Sequence, residues 1–310
     1  MTPYLSVTVP VYNEELNLRP LMDRLYPVLQ RMGRPFEIIF TDDGSRDRSL
    51  EILKGMAGQY PEVKVIEFNG NFGQHMALLA AFEESRGEIV ITIDADLQNP
   101  PEEIPKLVAE VEKGHDVVGS IRQKRQDTFF RRTASLTVNM VTRKMTGMQL
   151  SDYGCMLRAY HRNVVNNINR CQESSTFIPA LAQTFAASPG EVPVAHAERA
   201  EGESKYSLYR LVRLNFDLMT GFSVVPLQLF ALMGILTSLF SVGFAIFLMV
   251  RRFIVGAEVE GVFTLFAILF FFMGITIFGI GIVGEYVGRI YQEVRKRPRY
   301  VVRRIHGQAD

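Results

Sequence analysis

The chain has 310 residues, 34 Lys+Arg against 33 Asp+Glu and a formal net charge of +1. The charge splits at Asp217: residues 1–217 carry 25 basic and 28 acidic side chains, net −3, and residues 218–310 carry 9 and 5, net +4. Two cysteines, 47% hydrophobic residues and two long uncharged stretches exclude a disordered chain, a disulfide-stapled module and a collagen-like fibre, and they argue against a simple soluble protein.

The N-terminal MTPYLSVTVPVYNEE has no basic n-region and no long apolar stretch, so no cleaved signal peptide is expected and the first domain is expected in the cytoplasm. Short apolar runs then alternate with mixed segments. Strands are predicted at Leu5–Val9, Phe36–Phe40, Val63–Phe68, Glu88–Ile93 and Val117–Gly119. Helices are predicted at Leu16–Met32, Ser49–Gln59, Gln74–Glu84 and Pro101–Lys113. This alternation implies βαβ units and a mostly parallel sheet, whose ligands bind beyond the carboxyl ends of the strands. Residues 121–217 are less regular. Arg122–Lys144 holds seven basic residues against Asp127, which reads either as a solvated helix face or as a surface for phosphate or lipid headgroups. Ser207–Phe222 has the spacing of an amphipathic helix lying in a membrane interface.

Val224–Val250 is 27 residues without a charge, about 40 Å as a helix, and Gly261–Gly284 is a second such run. The short Arg251–Glu260 connection predicts a transmembrane hairpin. Arg289–Arg304 carries seven basic residues and one acid, so the positive-inside rule places the tail and residues 1–217 on the cytoplasmic face; Arg251 and Arg252 oppose this weakly. The expected organisation is a catalytic domain over 1–205, an amphipathic juxtamembrane helix over 206–223, a transmembrane hairpin over 224–288 and a basic cytoplasmic tail over 289–310.

The densest chemistry lies in the turns after the predicted strands. Asp94-Ala95-Asp96 follows the fourth strand, and two carboxylates at i and i+2 there can reach one hard cation, Mg²⁺ or Mn²⁺, shared with a diphosphate. Lone D-x-D sequences often only cap a helix; this placement favours the metal. Val9-Pro10-Val11-Tyr12-Asn13-Glu14 can stack on a base and hydrogen-bond a ribose. Asp42-Asp43-Gly44-Ser45 can accept from a base N–H or ribose hydroxyls. Each turn alone reads as turn chemistry; three acidic turns on one sheet edge do not. There is no G-x-G-x-x-G after the first strand and no P-loop, so the dinucleotide and P-loop readings lack a phosphate cradle. No nucleic acid is expected as a partner. Cys155 and Cys171 read as two reduced thiols without a metal spacing.

V-P-V-Y-N-E at 9–14, D-D-G-S at 42–45, N-x-G-Q at 71–74, D-A-D-L-Q-x-P-P-E at 94–102 and G-E-S-K-Y at 202–206 resemble glycosyltransferase family 2. The resemblance is to the branch with dolichol-phosphate mannose synthase and bacterial polyprenyl-phosphate glycosyltransferases, and it spans essentially the whole chain. G-Q-H at 73–75, D-Y-G-C-M-L-R at 152–158, S-T-F-I-P at 175–179 and H-A-E-R at 196–199 resemble the subfamily that transfers 4-deoxy-4-formamido-L-arabinose.

The resemblance implies a GT-A fold, α/β with a mostly parallel sheet, a UDP-sugar donor and undecaprenyl phosphate as acceptor. The sugar would be transferred with inversion, for lipid A modification and polymyxin resistance. Pro10, Tyr12, Glu14, Asp42 or Asp43, Asp94 and Ala95 would bind the nucleotide-sugar. Asp96 and Gln98 would hold Mg²⁺ or Mn²⁺, with Asp94. Arg122, Arg131, Arg199 and Lys205 would contact phosphates, and Asp152 would act as base or as a positioning acceptor. Where some relatives have a second Arg, this chain has Glu201. It further implies a homo-oligomer, a tetramer, among the lipids of the bacterial inner membrane. A glucosyl- or mannosyltransferase is the alternative in the same branch. A processive polysaccharide synthase needs a Gln-x-x-Arg-Trp motif, and the chain has no Trp. A non-catalytic binding module would be favoured by loss of Asp96 or Lys205, and both are present. A channel subunit has little to line a path, since the spans hold only a few polar residues.

Overall fold

Runs rich in β-branched and aromatic residues form the centre of the sheet. The computed structural model describes residues 2–122, 155–171, 177–195, 225–255, 262–295 and 297–307. Strands β1 (Leu5–Val11), β2 (Phe36–Asp42), β3 (Val63–Phe68) and β4 (Ile89–Thr92) are buried almost throughout. Such continuous burial is what a sheet covered on both faces requires. Helices α1 (Leu18–Arg31), α2 (Ser49–Gln59), α3 (Gln74–Glu84) and α4 (Ile104–Glu112) connect them, the last entered through a 3₁₀ turn at Pro101–Glu103. Two hydrophobic clusters result. One gathers Leu18, Leu21 and Leu25 of α1 with Leu107 and Val108 of α4; the other gathers Met76–Phe82 of α3 with Val164, Val165 and Ile168.

Strand β5 (Val117–Arg122) runs three residues beyond its predicted end. It is followed by β6 (Arg158–His161), α5 (Arg162–Arg170), α6 (Ile178–Phe185) and β7 (Pro189–Val194). The eight-stranded sheet has the order β7-β5-β6-β4-β1-β2-β3-β8, where β8 is Val302–His306. Neighbours in β4-β1-β2-β3 are parallel, as are β5 and β7; β6 is antiparallel to β4 and β5, and β8 to β3. The chain leaves β1 toward β2 and β3 on one side and returns to β4 on the other. The crevice between the carboxyl ends of β1 and β4 is therefore the topological switch point.

The basic tail is thus part of the sheet, which the sequence did not suggest. Residues 297–310 group with the catalytic unit rather than with the apolar helices. Glu67, 5% exposed, receives His306 Nε2 at 2.8 Å, Lys54 Nζ at 3.0 Å and Arg303 at 3.3 Å. A buried carboxylate surrounded by three cationic or hydrogen-bonding groups fastens the strand.

The second unit holds α7 (Val225–Val255) and α8 (Val262–Val294), of 31 and 33 residues. Both are long and apolar enough to cross a membrane, and their apolar windows are almost wholly exposed, unlike the core helices of a soluble protein. Two such helices are consistent with a membrane-anchored protein. Both helices run past the predicted spans: α7 continues through Arg251, and α8 continues ten residues beyond Gly284. The Glu285–Arg289 pair, at 2.9 Å and one turn apart, supports that extension. Gly279 faces Phe230, and a Cβ there would collide with the ring. The amphipathic segment 206–223 lies outside the described residues, as do Arg131, Asp152, Arg199 and Lys205.

Candidate active site

The first turn is tied to the second through backbone amides. Asn13, at φ 56°, donates its N–H to Ser45 Oγ at 3.1 Å and accepts from Arg46 N at 2.8 Å. Glu14 N reaches Ser49 Oγ at 2.9 Å, and Glu15 N reaches Asp47 at 3.1 Å. Asp43 N donates to Val11 O at 2.8 Å. The turns after β1 and β2 therefore form one rigid ledge. Tyr12 stands on it with 42% of its surface exposed. Glu14 receives Asn17 Nδ2 at 2.6 Å, and Pro10 pairs with Thr41 across β1 and β2.

Asp42 and Asp43 have different tasks. Both Asp43 oxygens are taken, accepting from Phe72 N at 2.6 Å and Gly73 N at 2.8 Å. This holds the loop after β3 against the ledge. Asp42 Oδ2 accepts from Ser45 N at 3.3 Å, whereas Oδ1 is buried without a partner among the described residues. Burial pushes both carboxyls above their ordinary value of 3.8; Ser45 offsets part of this at Asp42, and the Phe72 and Gly73 amides part of it at Asp43. An unmatched buried oxygen at a ligand-facing turn is what a donor on a bound nucleotide would satisfy.

Gln74 Nε2 donates to Asp94 Oδ1 at 2.6 Å, so the start of α3 orients the first carboxylate of the D-A-D turn. Leu97, at φ 61°, bends the chain so that Gln98 N reaches back to Asp96 Oδ1 at 3.1 Å. Asp94 and Asp96 are half-buried, while Ala95 is 4% exposed and packs in the core, so only its backbone can meet a ligand. Among the described residues no group of three or more His, Cys, Asp or Glu side chains could hold a metal. The turn offers two carboxylates and one carboxamide, hard oxygen donors that suit Mg²⁺ or Mn²⁺ with remaining positions filled by phosphate or water. Arg122 ends β5, and its side chain lies outside the described part of the structure.

Two contributors, Gln74 and Cys155, escaped sequence reasoning. Gln74 belonged to a recognised motif but had no assigned partner. Cys155, read as a bland thiol, is buried, donates to Asn99 Oδ1 at 3.2 Å and lies 2.7 Å from Ser120 Oγ, joining the segment after Asp152 to the D-A-D turn. His75 packs edge-on to Phe177 at 5.0 Å, and burial together with the Arg158 charge lowers its pKa to about 4, so it is neutral at physiological pH.

The switch-point crevice thus carries a carboxylate pair and an aromatic ledge at the ends of β1, β2 and β4, the arrangement of a GT-A fold. Residues 6–168 match the model of glycosyl transferase family 2, and the chain belongs to that family. Over 304 residues, 97% of this chain and 93% of the relative, it is 50% identical to undecaprenyl-phosphate 4-deoxy-4-formamido-L-arabinose transferase of Pectobacterium atrosepticum. Identity to the Pseudomonas aeruginosa protein of the same name is 51% over 312 residues, 98% of this chain and 92% of that one. The fold is shared with glucosyl-3-phosphoglycerate synthase of Mycobacterium tuberculosis, solved with UDP, at TM-score 0.51 and 20% identity over 70% of this chain and 78% of that one. The same synthase with Mn²⁺, UDP and glucosyl-3-phosphoglycerate aligns at TM-score 0.51 and 19% identity, with the same coverage.

Proposed function

We propose that the protein transfers 4-deoxy-4-formamido-L-arabinose from its UDP donor to undecaprenyl phosphate, with inversion. The observation that carries this is identity of about half over 97% of the chain, both apolar helices included, to transferases of that name. Tyr12 stacks on the uracil, and Asp42 Oδ1 accepts from the base or ribose. Asp43 and Gln74 act through the loop and through Asp94. Asp94, Asp96 and Gln98 hold Mg²⁺ or Mn²⁺, which when bound neutralises charge on the departing diphosphate. Arg122, Arg131, Arg199 and Lys205 hold the phosphates of donor and acceptor.

The acceptor phosphate has a second pKa near 6 and is mostly dianionic at neutral pH. Its oxygen forms the new bond to the anomeric carbon as the bond to UDP breaks, and UDP leaves with the electron pair. Asp152 then orients the acceptor rather than being needed to deprotonate it. Membrane anchoring suits a lipid acceptor. Pairing of β8 with β3 supports an even number of crossings, and the basic tail supports a cytoplasmic catalytic domain at the inner membrane. The assembly in this reading is a tetramer, which the mass of the purified protein in detergent checks.

The test incubates membranes containing the protein with undecaprenyl phosphate and either UDP-4-deoxy-4-formamido-L-arabinose, UDP-glucose or GDP-mannose, and weighs the lipid product. The formamido-arabinosyl lipid is expected. A hexosyl lipid formed in preference would replace the sugar assignment, and no lipid product would refute the reading.

A further inference from the structure

We propose that β8, through Tyr300, is a positioning element of the donor site: the chain that returns from the second apolar helix holds the loop on which Asp43 and Gln74 depend. This rests on the donor reading above. Tyr300 stacks on Phe68, the last residue of β3, with ring centroids 5.1 Å apart and planes 14° from parallel. Phe68 in turn meets Phe72 edge-on at 5.6 Å. Asn69 N donates to Val301 O at 3.1 Å, so the first residue after β3 is tied to the residue that precedes β8. The register between the two strands shifts between Glu67 and Phe68, where the chain bends out of the sheet into the loop.

The same loop ends on the donor side. Phe72 and Gly73 give their amides to Asp43, and Gln74 fixes Asp94. The backbone of Gly70 and Asn71 lies against Gly44 of the D-D-G-S turn. Arg299, beside Tyr300, approaches Glu83 of α3 at 4.0 Å. The tail therefore grips both the loop and the helix that the loop introduces. At the far end of β8, Glu67 binds Lys54, Arg303 and His306, which fastens the strand by contacts distinct from those that hold the loop. A basic extension without this role would need neither an aromatic stack at the loop's root nor a backbone bond to it. Tyr300 touches no ligand-facing residue itself; it acts through Phe68, Phe72 and Asp43.

The test uses the full-length protein in lipid nanodiscs, with UDP as the probe. Tyr300→Ala removes the stack, Tyr300→Leu is the milder replacement should the first fail to fold, and Tyr300→Phe keeps the ring. An aromatic pair contributes about 0.5–1.5 kcal/mol, so Tyr300→Ala should raise the UDP Kd roughly twofold to twelvefold. Amide exchange over residues 69–74 should quicken, the KM for undecaprenyl phosphate should stay within about twofold, and Tyr300→Phe should restore both readouts. UDP affinity and exchange both unchanged in Tyr300→Ala or Tyr300→Leu would overturn the proposal. So would donor and acceptor affinities falling in parallel, which marks general loosening. Failure of the wild-type protein to bind UDP would refute the donor reading instead, and the exchange measurement would still decide whether β8 holds the loop.

Discussion

Gly44 offers the sharpest check on how the donor ledge is built. Its φ of +71° lies in the left-handed region, and a Cβ added there would sit 2.6 Å from Gly70 C, 2.9 Å from Gly70 O and 3.0 Å from Asn71 N. Gly33 has a similar φ of +64° with nothing within 4 Å, so Gly33→Ala reports the backbone strain alone. That strain is about 1–2 kcal/mol. In a domain of this size each kcal/mol lowers the Tm by roughly 2–4 °C. Gly44→Ala adds a collision with backbone, which no side-chain rotation relieves. Reaching an ordinary contact of 3.4 Å moves the 70–71 backbone by about 0.8 Å. The Phe72 and Gly73 amides, now 2.6 and 2.8 Å from Asp43, would be drawn to or past the limit of a hydrogen bond. Each bond to a carboxylate contributes about 1.5–3 kcal/mol. Gly44→Ala is therefore expected to cost at least about 2 kcal/mol more than Gly33→Ala. It should also weaken UDP binding, which Gly33→Ala leaves alone. Paired thermal melts of the detergent-solubilised full-length protein and UDP titrations measure both. Equal melting losses for the two variants, with equal UDP affinity, would refute the packing argument.

Further outcomes follow from the other contacts. Asp96→Asn should lower kcat by about a hundredfold or more, as loss of a metal-held charge does, with both apolar helices still inserted; normal turnover would remove the D-A-D turn from the mechanism. At Glu67, burial raises the carboxyl pKa, but His306 and Lys54 hydrogen bonds and the Lys54 and Arg303 charges outweigh it, and the net shift is downward. A lowered native pKa gives stability that is present above the ordinary value of 4.5 and is lost as pH falls through the native value. The Tm gap between wild type and Glu67→Gln should accordingly close below about pH 4.5, and a gap constant from pH 7 to pH 3.5 would contradict the ion cluster. His75 is also lowered, from 6.5 to about 4, so the native state resists protonation there and loses stability as pH drops through that window. His75→Phe keeps the edge-on contact with Phe177 and should flatten that loss while leaving the pH–rate profile unmoved; a shifted profile would make the imidazole a participant.

The central strands were legible because a sheet covered on both faces demands short runs rich in β-branched and apolar residues, and Leu5–Val9 can be little else. Their ends were legible for the same reason, since Asp42-Asp43-Gly44 and Asp94-Ala95-Asp96 break those runs with turn chemistry. Three strands were not legible. β6 reads Arg-Ala-Tyr-His, and its buried Arg158 donates Nε to Cys155 O at 2.9 Å, a contact no sequence pattern announces. β7 carries Pro189 and Pro193, which an edge strand tolerates and a sequence pattern rejects. β8 is Val-Arg-Arg-Ile-His, basic enough to read as a solvated tail, and its partner Glu67 lies 239 residues earlier than His306. The division of labour between Asp42 and Asp43 was equally hidden, because it depends on which carboxylate meets the amides of Phe72 and Gly73.

That long separation has a consequence for how the site is completed. β3 is made early, and until β8 arrives its outer edge has unpaired backbone groups and Glu67 has Lys54 as its one basic neighbour of the three. β8 follows α7 and α8 in the chain, so it can pair only after both apolar helices have been synthesised, and only if they leave the chain on the side where β3 waits. An odd number of crossings would strand Arg303 and His306 across the membrane from a buried carboxylate, which is costly without its partners. In the proposed topology, the pairing of β8 with β3 and the loop charges thus ask for the same even number of crossings. The loop that bears Phe72 and Gly73 gains its fastening to Tyr300 and Val301 in the same step. In the proposed topology, completion of the donor site is thus tied, through one strand, to insertion of the two apolar helices.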